Sequence, residues 1–240
     1  MRRNVKALEA VRKEVEDATR GLSATGKRHE KGPLSCYYIK VPDVRRRAKE
    51  GYSFSSASSD ELLQIWDHIW NTSDTYEVMS QCLYHYQGRP LTRSEFTKIK
   101  EWVIKVTCWE HSDDLSKILA GVTEENPTWI IPALKSWNRS KSPWERRQSI
   151  VALMEYSKKR EKVQSFSLMI SLVENLLSDE DYYVQKAVGW TLREIGNVYP
   201  RETLTFIDQN VARISPNAWS SATRKLDKAV KVDLNMRRKA

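Results

Sequence analysis

The chain has 240 residues, of which 40 are Lys or Arg and 31 are Asp or Glu, so its formal net charge at pH 7 is +9. This length is enough to bury a full core as one domain or as one continuous repeat array. The surplus of positive charge favours a polyanionic partner such as nucleic acid over an acidic small substrate. Charge alone also fits an ordinary basic protein.

Several classes of protein are disfavoured by the same composition. The N-terminus is basic but has no apolar stretch that would direct export, and no long apolar run follows, so we expect a cytoplasmic protein without a membrane partner. Cys36, Cys82 and Cys108 lack the paired spacing of a disulfide framework or a zinc site. With only eight glycines there is no phosphate-binding loop, and we expect no metal and no cofactor.

Every segment with a clear period is helical. A leading helix is expected before residue 20, followed by a polar, glycine-containing linker over residues 20–35. "SDELLQIWDHIW" predicts a helix with Ser59 and Asp60 as cap candidates, and "TRSEFTKIKEWVIKV" predicts another that opens with a Thr92/Glu95 capping box.

Two further helices are signalled downstream. "SPWERRQSIVALMEY" has Ser142 as its cap and Pro143 at the first helical position. "SDEDYYVQKAVGWTLREIG" loads acids into its predicted first turn and stops at Gly196. The sequence therefore predicts an all-α protein of one domain over residues 1–240, with a helix and linker over 1–35, a repeat array over 36–232 and a frayed basic tail over 233–240.

The intervals between three residues suggest the kind of helical array. Trp109, Arg147 and Trp190 are separated by 38 and 43 residues, close to the length of a two-helix HEAT or armadillo unit. In an α-solenoid of HEAT-like repeats, equivalent positions face one concave surface, here expected to be basic. Coincidence is the alternative, because nine Trp residues offer many intervals.

The stretch "CWEHSDDLS", residues 108–116, puts Trp109 four residues before Asp113. On one helix these side chains share a face, which suits an aromatic ring and a carboxylate that take part in chemistry together. Alternatively, Ser112 is the N-cap of a helix that starts with two acids. His111 is expected on the surface. Glu110 and Asp114 are expected to be surface charges or acids at a helix start.

The chain resembles the DNA alkylation repair family, the AlkD-like DNA glycosylases built from HEAT-like repeats. The similar stretches are "YYIKVPDVRRRAKE", "IKEWVIKVTCWEHSDDLS", "SWNRSKSPWERRQSIVALMEY" and "SDEDYYVQKAVGWTLREIG", and together they cover roughly residues 36–228. The resemblance implies a monomeric hydrolase of base excision repair. Such an enzyme binds double-stranded DNA and removes alkylated purines such as 3-methyladenine and 7-methylguanine.

Residue roles follow from the resemblance one position at a time. It implies that Trp109 and Asp113 are catalytic, that Arg147 and Arg193 contact DNA, and that Trp190 lines the cleft. Cys108 stands where some family members have a second aromatic residue.

The other basic and aromatic side chains are open to more than one interpretation. Arg45, Arg46 and Arg47 are phosphate contacts or a solvated face. The remaining tryptophans are expected in the core, namely Trp66, Trp70, Trp102, Trp129, Trp137, Trp144 and Trp219.

Two other functions remain open at this point. A non-catalytic array would bind or sense damaged DNA through its basic surface, with Asp113 as a helix cap. A protein-binding scaffold would use the same solenoid surface for a protein partner.

Overall fold

The computed structural model describes residues 5–24, 32–153 and 162–239. Within these ranges the chain forms thirteen α-helices and one 3₁₀ helix, and the all-α prediction is confirmed. None of the described helices is long and apolar enough to span a membrane. The chain divides into two compact units, Met1–Ile118 and Leu119–Ala240, which are described separately. The expectation of one repeat domain stays a prediction.

The first unit contains five helices, the 3₁₀ helix and the start of a sixth. Their bounds are α1 Val5–Arg20, α2 Val41–Glu50, α3 Ser59–Thr72, α4 Tyr76–Tyr86, α5 Arg93–Ile99, the 3₁₀ helix Lys100–Lys105 and α6 Trp109–Glu125. The second unit contains α7 Pro127–Trp137, α8 Pro143–Val151, α9 Phe166–Glu174, α10 Tyr182–Ile195, α11 Pro200–Gln209, α12 Pro216–Ala222 and α13 Lys228–Lys239.

Most predicted helix ends coincide with capping interactions in the structure. Thr92 and Glu95 form the expected capping box of α5, the Ser142 hydroxyl accepts from the Glu145 amide at the start of α8, and Gly196 is the C-cap of α10. The cap of α3 is Ser58 rather than Ser59 or Asp60, and its box partner is Glu61. A capping box joins positions three apart, and Glu61 lies three residues after Ser58.

Three local predictions were wrong. The acids before α10 precede the helix instead of filling its first turn, and Asp181 is its N-cap. The basic tail is helical, because α13 extends to Lys239 with Leu234 buried beneath it. The helix that starts at Arg93 tightens into a 3₁₀ helix at Lys100. Part of the predicted linker, residues 25–31, lies outside the described residues.

Aromatic rings build the core of the first unit. The rings of Trp70 and Trp102 stack at 5.1 Å, and Tyr86 meets Trp102 edge-on at 5.7 Å. The Trp70 indole donates to the Trp102 carbonyl at 3.2 Å, while the Trp102 indole donates to Asp67 Oδ1 at 2.9 Å. These two bonds hold the 3₁₀ turn against α3, which accounts for its departure from the regular helix that periodicity predicts.

Of the seven tryptophans expected in the core, five are buried, namely Trp66, Trp70, Trp102, Trp137 and Trp219. Trp129 and Trp144 are only partly buried.

Buried side chains of α4 fix the segment that leads into α2. The carboxylate of Glu77 is 2% exposed and accepts the backbone amides of Tyr37 at 2.9 Å and Ile39 at 3.2 Å. Gln81 donates to the Val44 carbonyl of α2 at 3.1 Å. Because buried polar groups are costly when unsatisfied, these bonds determine where α2 sits on α4.

A glycine sets the spacing of two helices in the second unit. A Cβ placed on Gly189 of α10 would lie 2.1 Å from the carbonyl oxygen of Ala218 in α12, which is far inside van der Waals contact. The two backbones therefore approach as closely as only glycine permits. Trp190 is the next residue along α10.

Replacing Gly189 with Ala is expected to destabilise the protein by about 1–3 kcal/mol, because the added methyl forces α10 and α12 apart. The matched control is Gly121→Ala in α6, where a Cβ meets nothing within 4 Å. That change should be neutral or stabilising by up to about 1 kcal/mol, from helix propensity. Urea unfolding of both variants makes the measurement. Equal stabilities would contradict the close packing at Gly189.

A second prediction concerns His85, whose ring lies 5.1 Å from the Trp66 ring and 4.8 Å from the Tyr86 ring. Burial, assisted by Arg89, lowers the pKa of His85 to about 4 from its usual 6.5. Between these values the unfolded chain binds the proton and the folded protein does not. The contribution of His85 to the free energy of unfolding is therefore fully present above about pH 6.5. It is lost as the pH drops towards 4, which lowers the free energy of unfolding by on the order of 2–3 kcal/mol.

The measurement is the free energy of unfolding in urea at pH 7.5 and at pH 5.0. His85→Leu should flatten the difference, since leucine binds no proton in either state. A variant whose stability depends on pH as steeply as the parent's would show that other groups cause the acid sensitivity.

Candidate nucleic-acid interface

Helix α6 carries the first two candidate residues. It begins at Trp109 and continues without a break to Glu125, so Asp113 lies one turn after Trp109 on the same face. Trp109 is 45% exposed, which is unusual for a tryptophan. Ser112 is inside the helix, where it is buried and its amide donates to the Cys108 carbonyl. The interpretation in which Ser112 caps a helix and Asp113 opens it is therefore wrong.

The opposite side of the same turn docks into the core. His111 was expected on the surface but is fully buried, with its ring stacked on Tyr76 at 4.6 Å and its Nε2 3.1 Å from Ser80 Oγ. Residues two apart on a helix point about 200° from one another. Burial of His111 therefore turns Trp109 away from the core. Cys108, just before the helix, stands where some family members have a second aromatic residue, and here this position is buried.

Two neighbouring arginines of α2 have different surroundings. Arg45 reaches towards α6, with Nη2 3.6 Å from Asp114 Oδ1 and its guanidinium 5.2 Å from the centre of the Tyr84 ring. Arg46 pairs with Asp43 at 2.9 Å and Glu50 at 3.8 Å, both on its own helix. Of these two predicted DNA contacts, the structure brings only Arg45 beside the α6 residues.

Asp114 is also not the surface charge that was expected, since its side chain is only 7% exposed. Burial, with the negative charge of Asp114 nearby, raises the pKa of Tyr84 well above its usual value, so the phenol beside Arg45 keeps its proton and stays neutral.

In the second unit, Arg147 departs from its expected role. Its side chain was expected to contact a phosphate, but the residue is 3% exposed and Nη1 donates to the Tyr183 carbonyl at 2.8 Å. With only 3% of its surface exposed, Arg147 has little area available for a direct contact with a phosphate. The guanidinium instead ties α8 to the first turn of α10, which places Arg147 behind the surface that α10 presents.

The exposed face of α10 holds the other two candidates. Trp190 is half-buried there, and Arg193 is 17% exposed with Nε 3.1 Å from Glu194. Sequence reasoning missed three further residues on this face, namely Tyr182, Tyr183 and Lys186. The helical positions 182, 183, 186, 190 and 193 lie opposite the buried residues of α10, so a helical wheel of this segment would have revealed them.

Aromatic rings and cations alternate along this face, which we call the α10 stripe and define as Tyr182, Tyr183, Lys186, Trp190 and Arg193. The two tyrosines are 52% and 39% exposed. Tyr183 stacks on Trp144 of α8 at 5.3 Å and meets Tyr182 edge-on at 5.2 Å. Exposed rings among cations are typical of surfaces that bind nucleic acids, where bases stack and phosphates pair.

One known protein family matches most of the chain. The family model described as DNA alkylation repair enzyme matches residues 10–226. No curated protein sequence matches the chain.

Three solved structures share the fold. A protein from Enterococcus faecalis, described as a predicted DNA alkylation repair enzyme, is 15% identical, with a TM-score of 0.70 over 95% of this chain and 98% of its own. AlkD2 from Streptococcus mutans is 16% identical, with a TM-score of 0.64 over 92% and 99%. The protein smu.31 from Streptococcus mutans UA159 is 18% identical, with a TM-score of 0.59 over 78% and 92%.

The family model covers nearly the whole chain, and the architecture of the similar structures agrees with it. The chain therefore belongs to the DNA alkylation repair enzyme family.

Proposed function

We propose that this protein is a monofunctional DNA glycosylase that acts as a monomer on duplex DNA in the cytoplasm. Its substrates would be purines made cationic by alkylation, such as 3-methyladenine and 7-methylguanine. The observation that carries the proposal is the pairing of an exposed indole and a carboxylate on one face of α6, with Trp109 45% exposed and Asp113 one turn away. Membership of a DNA repair family supports it.

The chemistry of the substrate fits these two groups. An N3- or N7-alkylated purine carries positive charge, so its bond to the sugar is weak and the base leaves neutral without a general acid. As the bond breaks, its electron pair goes to the base and positive charge develops on the sugar. A carboxylate beside C1′ stabilises that charge and orients the attacking water, as in glycoside hydrolysis. Water then adds to C1′ and loses a proton, leaving a free base and an abasic site.

Trp109 would act on the same charge from the aromatic side. The face of an indole attracts cations, and it would favour an alkylated nucleotide and the developing sugar cation by about 1 kcal/mol when water is excluded. On the α10 stripe, Trp190 would stack against a base of the bound DNA and Arg193 would contact backbone phosphate. Arg147 would support this surface by holding Tyr183.

A second function, DNA binding without catalysis, is favoured by the α10 stripe. Stacking rings and cations would bind DNA whether or not a carboxylate acts on the sugar. The two functions differ in what Asp113 does. In the binding protein, its carboxylate is dispensable.

Asp113→Asn is expected to lower the rate of excision of methylated purines by about a hundredfold or more, because the amide keeps the shape but loses the charge that stabilises the sugar cation. Affinity for undamaged duplex and the melting temperature should stay close to those of the parent. Base release is measured by chromatography on methylated duplex DNA. The control is Asp17→Asn, which makes the same charge change at an exposed position of α1. Non-catalytic DNA binding becomes the better hypothesis if Asp113→Asn matches the parent, or if the parent releases no base.

Trp109→Ala should also reduce excision, by about fivefold to tenfold, which corresponds to about 1 kcal/mol of cation–π stabilisation. Trp109→Phe retains an aromatic face and should recover part of the rate. Because Trp109 is half exposed, both variants should fold, which circular dichroism can verify. An alanine variant with the parent's rate would remove the indole from the mechanism.

A further inference from the structure

A buried carboxylate in the first unit gathers polar side chains from two other elements. Asp114 Oδ1 accepts from Lys117 Nζ at 2.7 Å and from Gln87 Nε2 at 3.1 Å, and Arg45 Nη2 lies 3.6 Å away. Arg45 belongs to α2, Gln87 follows α4, and Asp114 and Lys117 are on α6. We call these four residues the Asp114 cluster.

The carboxylate is the buried member and the cations are the exposed ones. The Asp114 side chain is 7% exposed, whereas Lys117 is 36% exposed and Arg45 is 47% exposed. Burial of a carboxylate is costly unless it is paired and hydrogen-bonded, so Asp114 holds both cations in defined places. Lysine has three donors and arginine five, which leaves donors that can face solvent.

The backbone on both sides of the cluster is fixed as well. Gln87 also donates to the backbone carbonyl of Asp114 at 3.2 Å. The carbonyl of Val44, next to Arg45, accepts from the buried Gln81. The two cations are thus presented from anchored helices. A pre-organised pair of cations loses less freedom on binding an anion than two mobile surface residues do.

The charge balance and position of the cluster indicate the anion. Two cations and one carboxylate leave one net positive charge, which a phosphodiester would neutralise. Lys117 lies one helical turn beyond Asp113, as Asp113 lies one turn beyond Trp109. The structure shows an ion pair of Lys117 with Asp114 at 2.7 Å. A nucleotide with its sugar at Asp113 would therefore have a neighbouring phosphate within reach of Lys117.

We propose that Arg45 and Lys117 form a clamp for a backbone phosphate of duplex DNA and that Asp114 is the positioning residue that holds both cations. The proposal rests on the DNA-binding part of the proposed function and adds to it a phosphate site on α2 and α6. Arg46 is the contrast within α2, because acids of its own helix already pair with it.

The first test measures how the affinity for an undamaged, fluorescein-labelled duplex depends on salt, by fluorescence anisotropy over a range of NaCl concentrations. Log affinity falls as log salt concentration rises, and each phosphate contact adds about 0.9 to the magnitude of this negative slope. Arg45→Gln and Lys117→Gln should each reduce the magnitude of the slope by about one, and the double variant by about two. The control, Arg46→Gln, should change it by much less. If Arg45→Gln, Lys117→Gln and the control Arg46→Gln all have the same slope as one another, the clamp is overturned.

The second test separates positioning from simple charge. Asp114→Asn removes a negative charge, so general electrostatics alone would raise DNA affinity, as Asp17→Asn should do slightly. If Asp114 positions the cations, Asp114→Asn should instead lower affinity severalfold at fixed salt. Adding Lys117→Gln to Asp114→Asn should then change the slope by clearly less than one. An affinity gain like that of Asp17→Asn would overturn the positioning role.

These outcomes are distinguishable from failure of the proposed function, because the duplex is undamaged and binding needs no excision. A parent that excises methylated purines but whose slope is unaffected by Arg45→Gln and Lys117→Gln refutes the clamp alone. A parent that binds no duplex at low salt refutes both proposals. Removing either cation leaves the buried Asp114 less well compensated, so each variant should melt below the parent, and circular dichroism at the assay temperature verifies that it is folded.

Discussion

The arrangement of the candidate site on α6 depends on burial of one side of that helix's first turn. His111 stacks on Tyr76 and lies 5.5 Å from Trp70, which itself stacks on Trp102. Aromatic contacts of this kind bury large areas and have defined geometry. With His111 fixed in the core, the rotation of α6 about its axis is also fixed. Exposure of Trp109 is a consequence of that docking.

A comparable constraint shapes the second unit. Gly189, in the middle of α10, lets this helix come into backbone contact with α12, and the Arg147 guanidinium binds the Tyr183 carbonyl in the first turn of α10. One contact sets the depth of the helix and the other holds its first turn. The α10 stripe is what remains facing outward. A buried arginine here supports a surface of aromatic and basic residues without belonging to it.

The sequence was most informative where the determinant is local. Helix caps depend on two or three neighbouring residues, so Thr92 with Glu95, Ser142 and Gly196 could be read directly. Apolar periodicity likewise predicted that the segments of α3 and α10 are helical. The 3₁₀ turn after Ile99 could not be predicted, because it depends on the Trp70 indole bonding to a carbonyl distant in sequence.

For the candidate site, the sequence predicted which residues share a helical face but not their surroundings. The spacing of Trp109 and Asp113 predicts one shared face in a helix that is continuous from Trp109, as α6 is. Burial of His111, Arg147 and Asp114 depends on partners 31, 36 and 69 residues away, so their charge and polarity alone suggested a surface position. Lys117 lies on a face of α6 that is defined only when the opposite face is known to be buried, whereas the two tyrosines of α10 could have been found from the apolar periodicity of that helix.

Helix geometry also explains how two adjacent acids can serve different purposes. Successive residues on an α-helix point about 100° apart. Asp113 shares the face of the exposed Trp109, whereas Asp114 turns towards Arg45 of α2 and Gln87. The first position suits a carboxylate that acts on a bound nucleotide, and the second suits one that organises cations. Because the difference comes from rotation about one axis, inserting a single residue between Trp109 and Asp113 would turn Asp113 to the direction that Asp114 now has, and deleting one would turn Asp114 to the direction of Asp113.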